Sequence, residues 1–218
     1  MLHVQNESLS VTMDAFFHSA VSFDKAGLNT VANNALEKFS NYNLRFNQIV
    51  QRSGDQLFNY DLSFPLFANQ GQVRLHPDRL FVNLENVRGE GDLEIVVQTL
   101  VRAVQCLPSD LVTRLSFRAA AHAAFQSETE SKDFFAPFVD KGKSIIDGGR
   151  IVVVKEDAWP SPVRLLLERS LVSINGLYLG WMLEQPGTVN LETLKEIADK
   201  FGVAAKSAGL ELIFQKPQ

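Results

Sequence analysis

Ser8-Leu9-Ser10-Val11-Thr12-Met13-Asp14-Ala15-Phe16-Phe17-His18 carries an alternation of period two. Leu9, Val11, Met13, Ala15 and Phe17 fall on one face. Ser8, Ser10, Thr12, Asp14, Phe16 and His18 fall on the other. Such a pattern predicts a half-buried strand. The period then changes. Leu28, Val31, Ala32, Ala35, Leu36 and Phe39 follow at spacings that predict an amphipathic helix of about four turns. Asp24 is placed to cap it, and Phe23 with Leu28 suits a hydrophobic staple across its first turn.

Four strand-like stretches follow, at 44–52, 57–67, 72–76 and 79–87. Turn residues punctuate them at Gly54-Asp55, Asn69-Gln70-Gly71 and His76-Pro77-Asp78, and connections this short give antiparallel neighbours. Gly89-Glu90-Gly91-Asp92 breaks the last strand and opens a second helix with Leu93, Val96, Val97, Leu100, Val101 and Val104 inward. Leu107-Pro108 stops it.

The order then begins again. Residues 111–126 alternate, with Leu115, Phe117, Ala119, Ala121, Ala123 and Phe125 on the apolar face and Arg114, Ser116, Arg118 and His122 opposite. A short helix over 130–139 carries Phe134, Phe135 and Phe138. After a Lys141–Gly149 loop come strands near 150–156, 163–173 and 177–184, the last two joined by the hairpin signal Asn175-Gly176. Asn190 caps a final helix with Leu191, Leu194, Ile197, Ala198 and Phe201 inward. Gly209 ends it, leaving Leu210–Phe214 as a terminal strand or an extended tail.

These readings predict an α+β fold of two units, 1–108 and 109–218, packed as one globular body. Each unit runs strand, helix, antiparallel meander, helix. The residues themselves do not repeat, so the duplication is one of element order. Each helix has one apolar face, which places the helices together on one face of a curved antiparallel sheet. This order resembles the duplicated helix-on-sheet arrangement of TATA-binding-protein-like and helix-grip folds. The resemblance implies an architecture and carries no function.

Composition narrows the function classes. The 218 residues hold 21 Lys+Arg against 25 Asp+Glu, a net charge of −4. A chain that neutralises phosphates is expected to be basic, so nucleic acid is not expected as a partner. No apolar run approaches the length of a spanning helix, and the first residues lack a signal-peptide pattern; neither membrane nor export is expected. One cysteine, Cys106, excludes an internal disulfide framework and agrees with a reducing cytoplasm. The 16 Phe are about twice an average share, which implies a thick core or a buried interface.

Catalytic and cofactor motifs are missing. The histidines, His3, His18, His76 and His122, show no metal-ligand spacing, and no Cys-x-x-Cys or nucleophile elbow occurs. His18 and His122 stand at matching ends of the two first strands. An arrangement that brought those ends together would pair them, but two histidines make a poor zinc site. Cys106, at a helix C-terminus, reads as an inert packed thiol. Arg88-Gly89-Glu90-Gly91-Asp92 lies between strand and helix, but its carboxylates oppose an anion, so it reads as a turn. Glu168 and Arg169 are adjacent in a strand and so point to opposite faces. No cofactor is expected, and no residue pattern points to a catalytic activity.

The polar faces of the two first strands are the informative surface. If those strands are central neighbours, Asp14 and Arg118 pair across them, amid Phe16, His18, Arg114 and His122. Trp159, in Trp159-Pro160-Ser161-Pro162, and Trp181 are further anchor candidates, although core packing is the readier account of each. A mixed surface of this kind suits a polypeptide, held on the sheet face or its edge, better than a phosphate backbone. Small acidic cytoplasmic chaperones share these gross properties. The alternative is a small-ligand protein or enzyme with an apolar pocket between sheet and helices, anchored by Arg118 and His122. Self-association into a homo-oligomer fits the same features. Charge reversal at Arg114 and Arg118 is expected to abolish partner capture with little change in melting temperature in the first case. In the second, it is expected to remove ligand-induced thermal stabilisation.

Overall fold

The computed structural model describes residues 1–53, 60–108, 110–138, 149–173, 175–187 and 190–214. The turn at Gly54-Asp55, the beginning of the strand at 57 and most of the Lys141–Gly149 loop lie outside them. Among these residues the fold is α+β: a ten-stranded, largely antiparallel sheet with four α-helices. The elements are β1 (Leu2–Phe17), α1 (Lys25–Lys38), β2 (Val50–Ser53), β3 (Tyr60–Leu66), β4 (Gly71–Leu75), β5 (Arg79–Val87) and α2 (Glu90–Val104). They continue with β6 (Val112–Phe125), α3 (Glu128–Phe135), β7 (Arg150–Val154), β8 (Val163–Arg169), β9 (Gly176–Pro186), α4 (Leu191–Ser207) and β10 (Leu210–Ile213).

Across the sheet the order is β2-β3-β4-β5-β1-β6-β9-β8-β7, with β10 alongside β1 in parallel. β1 and β6, the two alternating strands, are therefore the antiparallel centre. Asp14 lies opposite Ser116, and Thr12 opposite Arg118. Leu9, Val11, Met13, Ala15 and Phe17 are buried, as are Leu115, Phe117, Ala119, Ala121, Ala123 and Phe125. The alternation thus sorts each strand as its chemistry requires.

β1 begins six residues before the stretch whose alternation announces it. Val4 and Asn6 continue its buried face, and a fully buried asparagine hides the pattern. Asn6 is held there because its Nδ2 donates to the carbonyls of Val87 (3.2 Å) and Arg88 (3.4 Å). Of the stretch 44–52, only the end is strand; Phe46–Gln48 is a 3₁₀ turn.

All four helices pack on one face. Phe39, at the end of α1, meets Phe64 of β3 with ring centroids 5.5 Å apart. Phe135 of α3 meets Phe125 of β6 edge to face, and Phe201 of α4 stacks on Trp181 of β9. α2 and α4 lie side by side over β1 and β6. Asp24 and Asn190 cap α1 and α4 through Gly27 N–H and Thr193 N–H. The phenylalanines mostly build this core: Phe17, Phe39, Phe64, Phe117, Phe125 and Phe135 are buried, and among the described ones only Phe46 is largely exposed.

Gly176 is required by a close approach. A Cβ there would come within 2.5 Å of the Ser170 Cβ, so the β8–β9 connection closes only around a glycine.

The glycine-rich start of α2 shows why it is a turn. The Asp92 carboxylate reaches back to the N–H groups of Arg88 and Gly89, both at 3.0 Å. It fills the position an external anion would take. The Gly89 and Arg88 hydrogen bonds hold its carboxyl below the usual range. Because the folded value is lowered, the stabilisation is present above the unfolded carboxylate range and disappears as pH falls through the folded value. Asp92→Ala is expected to cost about 0.5–1 kcal/mol at neutral pH. Melts of the two proteins between pH 7 and pH 2 should converge at the acid end. A gap that persists there would show that the carboxylate is not the cap.

Candidate functional site

The face opposite the helices carries every second residue of the strands, and no helix among the described residues covers it. At its centre, Phe16 of β1 lies in register between Arg79 of β5 and Arg114 of β6. The Arg114 guanidinium is 4.2 Å from the ring centroid and that of Arg79 is 5.8 Å away. Two residues along, Asp14 lies between two arginines. Arg118 donates to its Oδ2 at 2.9 Å, and Arg79 Nε stands 3.2 Å from Oδ1. Only 10% of the Asp14 side chain is exposed, whereas half of Arg118 is. The carboxylate is a buried counter-charge beneath guanidinium groups that still reach solvent. Arg114 continues the row to Glu184 at 3.2 Å.

Beside this row lies a concavity of about 690 Å³. Ala120 and Gly180, a cross-strand pair, form its floor because neither projects a long side chain. Phe81, Tyr178, Met182, Leu166 and Ile151 form its walls, and Arg118 and Arg164 project along it. Ile151, Val153 and Met182 remain 67%, 60% and 42% exposed, a clustering that a solvated sheet face does not require.

Asp14, Phe16, Arg114 and Arg118 thus form one cluster, including the anticipated Asp14–Arg118 pair. Arg79, which sequence reading missed, completes it. Tyr178, Met182 and Arg164 were also missed, because only the strand order reveals which neighbours β6 acquires. His18 and His122 do not meet. Antiparallel pairing sets His122 opposite Ser8, so the exposed His18, ten residues further on, lies roughly 30 Å away.

His122 has a local partner instead. Its Nδ1 is 2.9 Å from Ser170 Oγ, which also accepts the Val172 N–H. Ser170 is buried, and through these two contacts it ties His122 to the β8–β9 turn. Trp159 is half-buried against the core in the β7–β8 connection. Trp181 is buried on the helix side, its indole N–H bonded to the Phe201 carbonyl at 3.1 Å. Arg169 also turns to the helix side, with its guanidinium 4.6 Å from the Phe135 ring centroid, away from Glu168. Burial pushes the Cys106 thiol up to about 12, and its Sγ donates to the Arg102 carbonyl. It holds little thiolate at neutral pH.

A pocket between sheet and helices exists, and Arg118 and His122 do not anchor it, because both side chains stand on the opposite face. Among the described residues, no group of three or more His, Cys, Asp or Glu is placed to hold a metal ion. No helix there is long and apolar enough to cross a membrane. Compared with models of known families, the sequence matches none, and no curated protein is significantly similar to it.

Proposed function

We propose that this protein is a non-enzymatic adaptor that holds a polypeptide segment on its open sheet face. One observation carries the reading: an apolar trough floored by Ala120 and Gly180 runs beside a row of arginines on the face without helices. Tyr, Met and Arg are enriched where proteins bind one another, and half-exposed guanidinium groups favour a carboxylate-bearing partner. Arg164 has no ion-pair partner among the described residues and stands along the trough. The partner chemistry is therefore a segment combining aliphatic or aromatic side chains with Asp or Glu. In the same reading, residues 1–108 and 109–218 are structural counterparts. The meanders β5-β4-β3 and β9-β8-β7 flank the β1–β6 pair on either side, which supports the likeness to TATA-binding-protein-like sheets and leaves one broad surface. Work in a reducing cytoplasm fits the lone, unreactive Cys106.

The test is selection of displayed random twelve-residue peptides on the purified protein, with enriched peptides measured by fluorescence anisotropy. Enrichment of acidic residues beside apolar ones is expected. Arg164→Glu and Met182→Asp should each weaken binding at least about tenfold, the loss of one interface anchor, at an unchanged melting temperature. Peptides that bind both variants as well as the original would place the site elsewhere.

A further inference from the structure

On the other side of the sheet, α2 and α4 do not close completely over β1 and β6. Between them lies a cavity of about 310 Å³. Val97, Leu100, Phe117, Ala119, Ile197 and Phe201 are among the residues that line it, and the lining is apolar almost throughout. Trp181 also borders it, but its indole N–H is bound to the Phe201 carbonyl. Among the described residues the interior consequently offers no free side-chain hydrogen-bond donor, and a polar occupant would lose its water without compensation.

Two features of α4 mark one side of the opening. Gly202 lines the cavity in the middle of the helix, and a Cβ built there meets no heavy atom within 4 Å. Packing within this chain does not require a glycine at that point, and glycine disfavours a helix interior. A molecule lying against the helix backbone would require one. Lys206, one turn further along the same face, is exposed at the rim, with no carboxylate at ion-pair distance among the described residues. The other rim charge, Glu211, is engaged by His3 at 3.0 Å.

We propose that this cavity binds a free medium-chain fatty acid, its chain between α2 and α4 over Gly202 and its carboxylate at Lys206. At about 30 Å³ per carbon, close to the share of one molecule in liquid water, the volume takes roughly ten carbons. Two-chain lipids exceed it. With Glu211 held by His3, Lys206 is the cationic group left at the mouth for a carboxylate. This site is separated from the peptide-binding face by the sheet, so neither reading depends on the other.

The experiment follows Trp181 emission in a Trp159→Phe background, titrating dodecanoate, octanoate, 1-decanol and phosphatidylglycerol vesicles. Dodecanoate is expected to give a saturable change at one molecule per chain, with octanoate weaker. Lys206→Glu should weaken dodecanoate several-fold and leave 1-decanol unaffected. Gly202→Leu should abolish both while melting no lower than the parent, since leucine is the better helix former. Dodecanoate binding that Gly202→Leu leaves intact would overturn the proposal, as would absence of any saturable response. So would a response to vesicles alone, which would make the occupant a membrane lipid. A dimer that Gly202→Leu dissociates, without fatty-acid binding, would make it a second copy of the chain.

Discussion

Phe135→Ala is expected to lower stability by about 3–5 kcal/mol and the melting temperature by roughly 6–20 °C. Phe135 is fully buried. It packs edge to face against Phe125, Phe134 and Phe138, with the Arg169 guanidinium over its ring. α3 has only eight residues and is too short to persist without tertiary packing, so this ring is its principal attachment to the sheet. Truncation removes the transfer free energy of the side chain and leaves a void that neighbouring rings cannot fill without leaving their own contacts. Phe46→Ala is the comparison. That ring is 71% exposed, and its loss should change stability by no more than about 0.5 kcal/mol. Denaturant melts of the two variants separate a core use of phenylalanine from a surface one. Equal midpoints would show that α3 does not dock as described.

Arg118→Glu should destabilise by about 2–3 kcal/mol, because it replaces a charged hydrogen bond with two facing carboxylates. One of them, Asp14, is too buried to be solvated instead. The exposed end of Arg118 and the continuing presence of Arg79 keep the loss below that of a fully buried pair. Arg114→Glu should cost less than about 1 kcal/mol, since both Arg114 and Glu184 are near half-exposed. The expectation that reversing both arginines spares the fold is therefore confined to Arg114, and binding tests on the sheet face belong at Arg114, Arg164 and Met182. Adding Asp14→Asn to Arg118→Glu should recover part of the loss by removing the repulsion. If Arg118→Glu and Arg114→Glu melt together, Asp14 is not held by its arginines.

What the sequence made legible follows from the range of each interaction. Caps such as Asp24 and Asn190, and the alternation of 8–17 and 112–125, depend on neighbours within a few positions. The linear order therefore displays them. The Asp14–Arg118 pair was accessible because one supposition, that the two alternating strands are neighbours, fixes it. Arg79 was not, because it reaches Asp14 only if β5 takes the other flank of β1. The separation of His18 from His122 has the same origin: matching positions on antiparallel strands lie at opposite ends. A pocket between sheet and helices was the alternative reading, but its lining could not be read, since a void is a property of two distant helices failing to meet. The parallel seat of β10 depends on a partner at the far end of the chain.

That seat bears on how the molecule comes into being. β1 is central, yet part of its length is bordered by a strand synthesised long after it, Gln5 and Ile213 pairing across 208 positions. Until β10 emerges from the ribosome, the first strand keeps an open edge, and so does the sheet nucleated on it. Such high contact order slows assembly and exposes unpaired strands to other nascent chains. Deleting Leu210–Ile213 should therefore reduce the yield of soluble protein during translation far more than the loss of four residues would suggest.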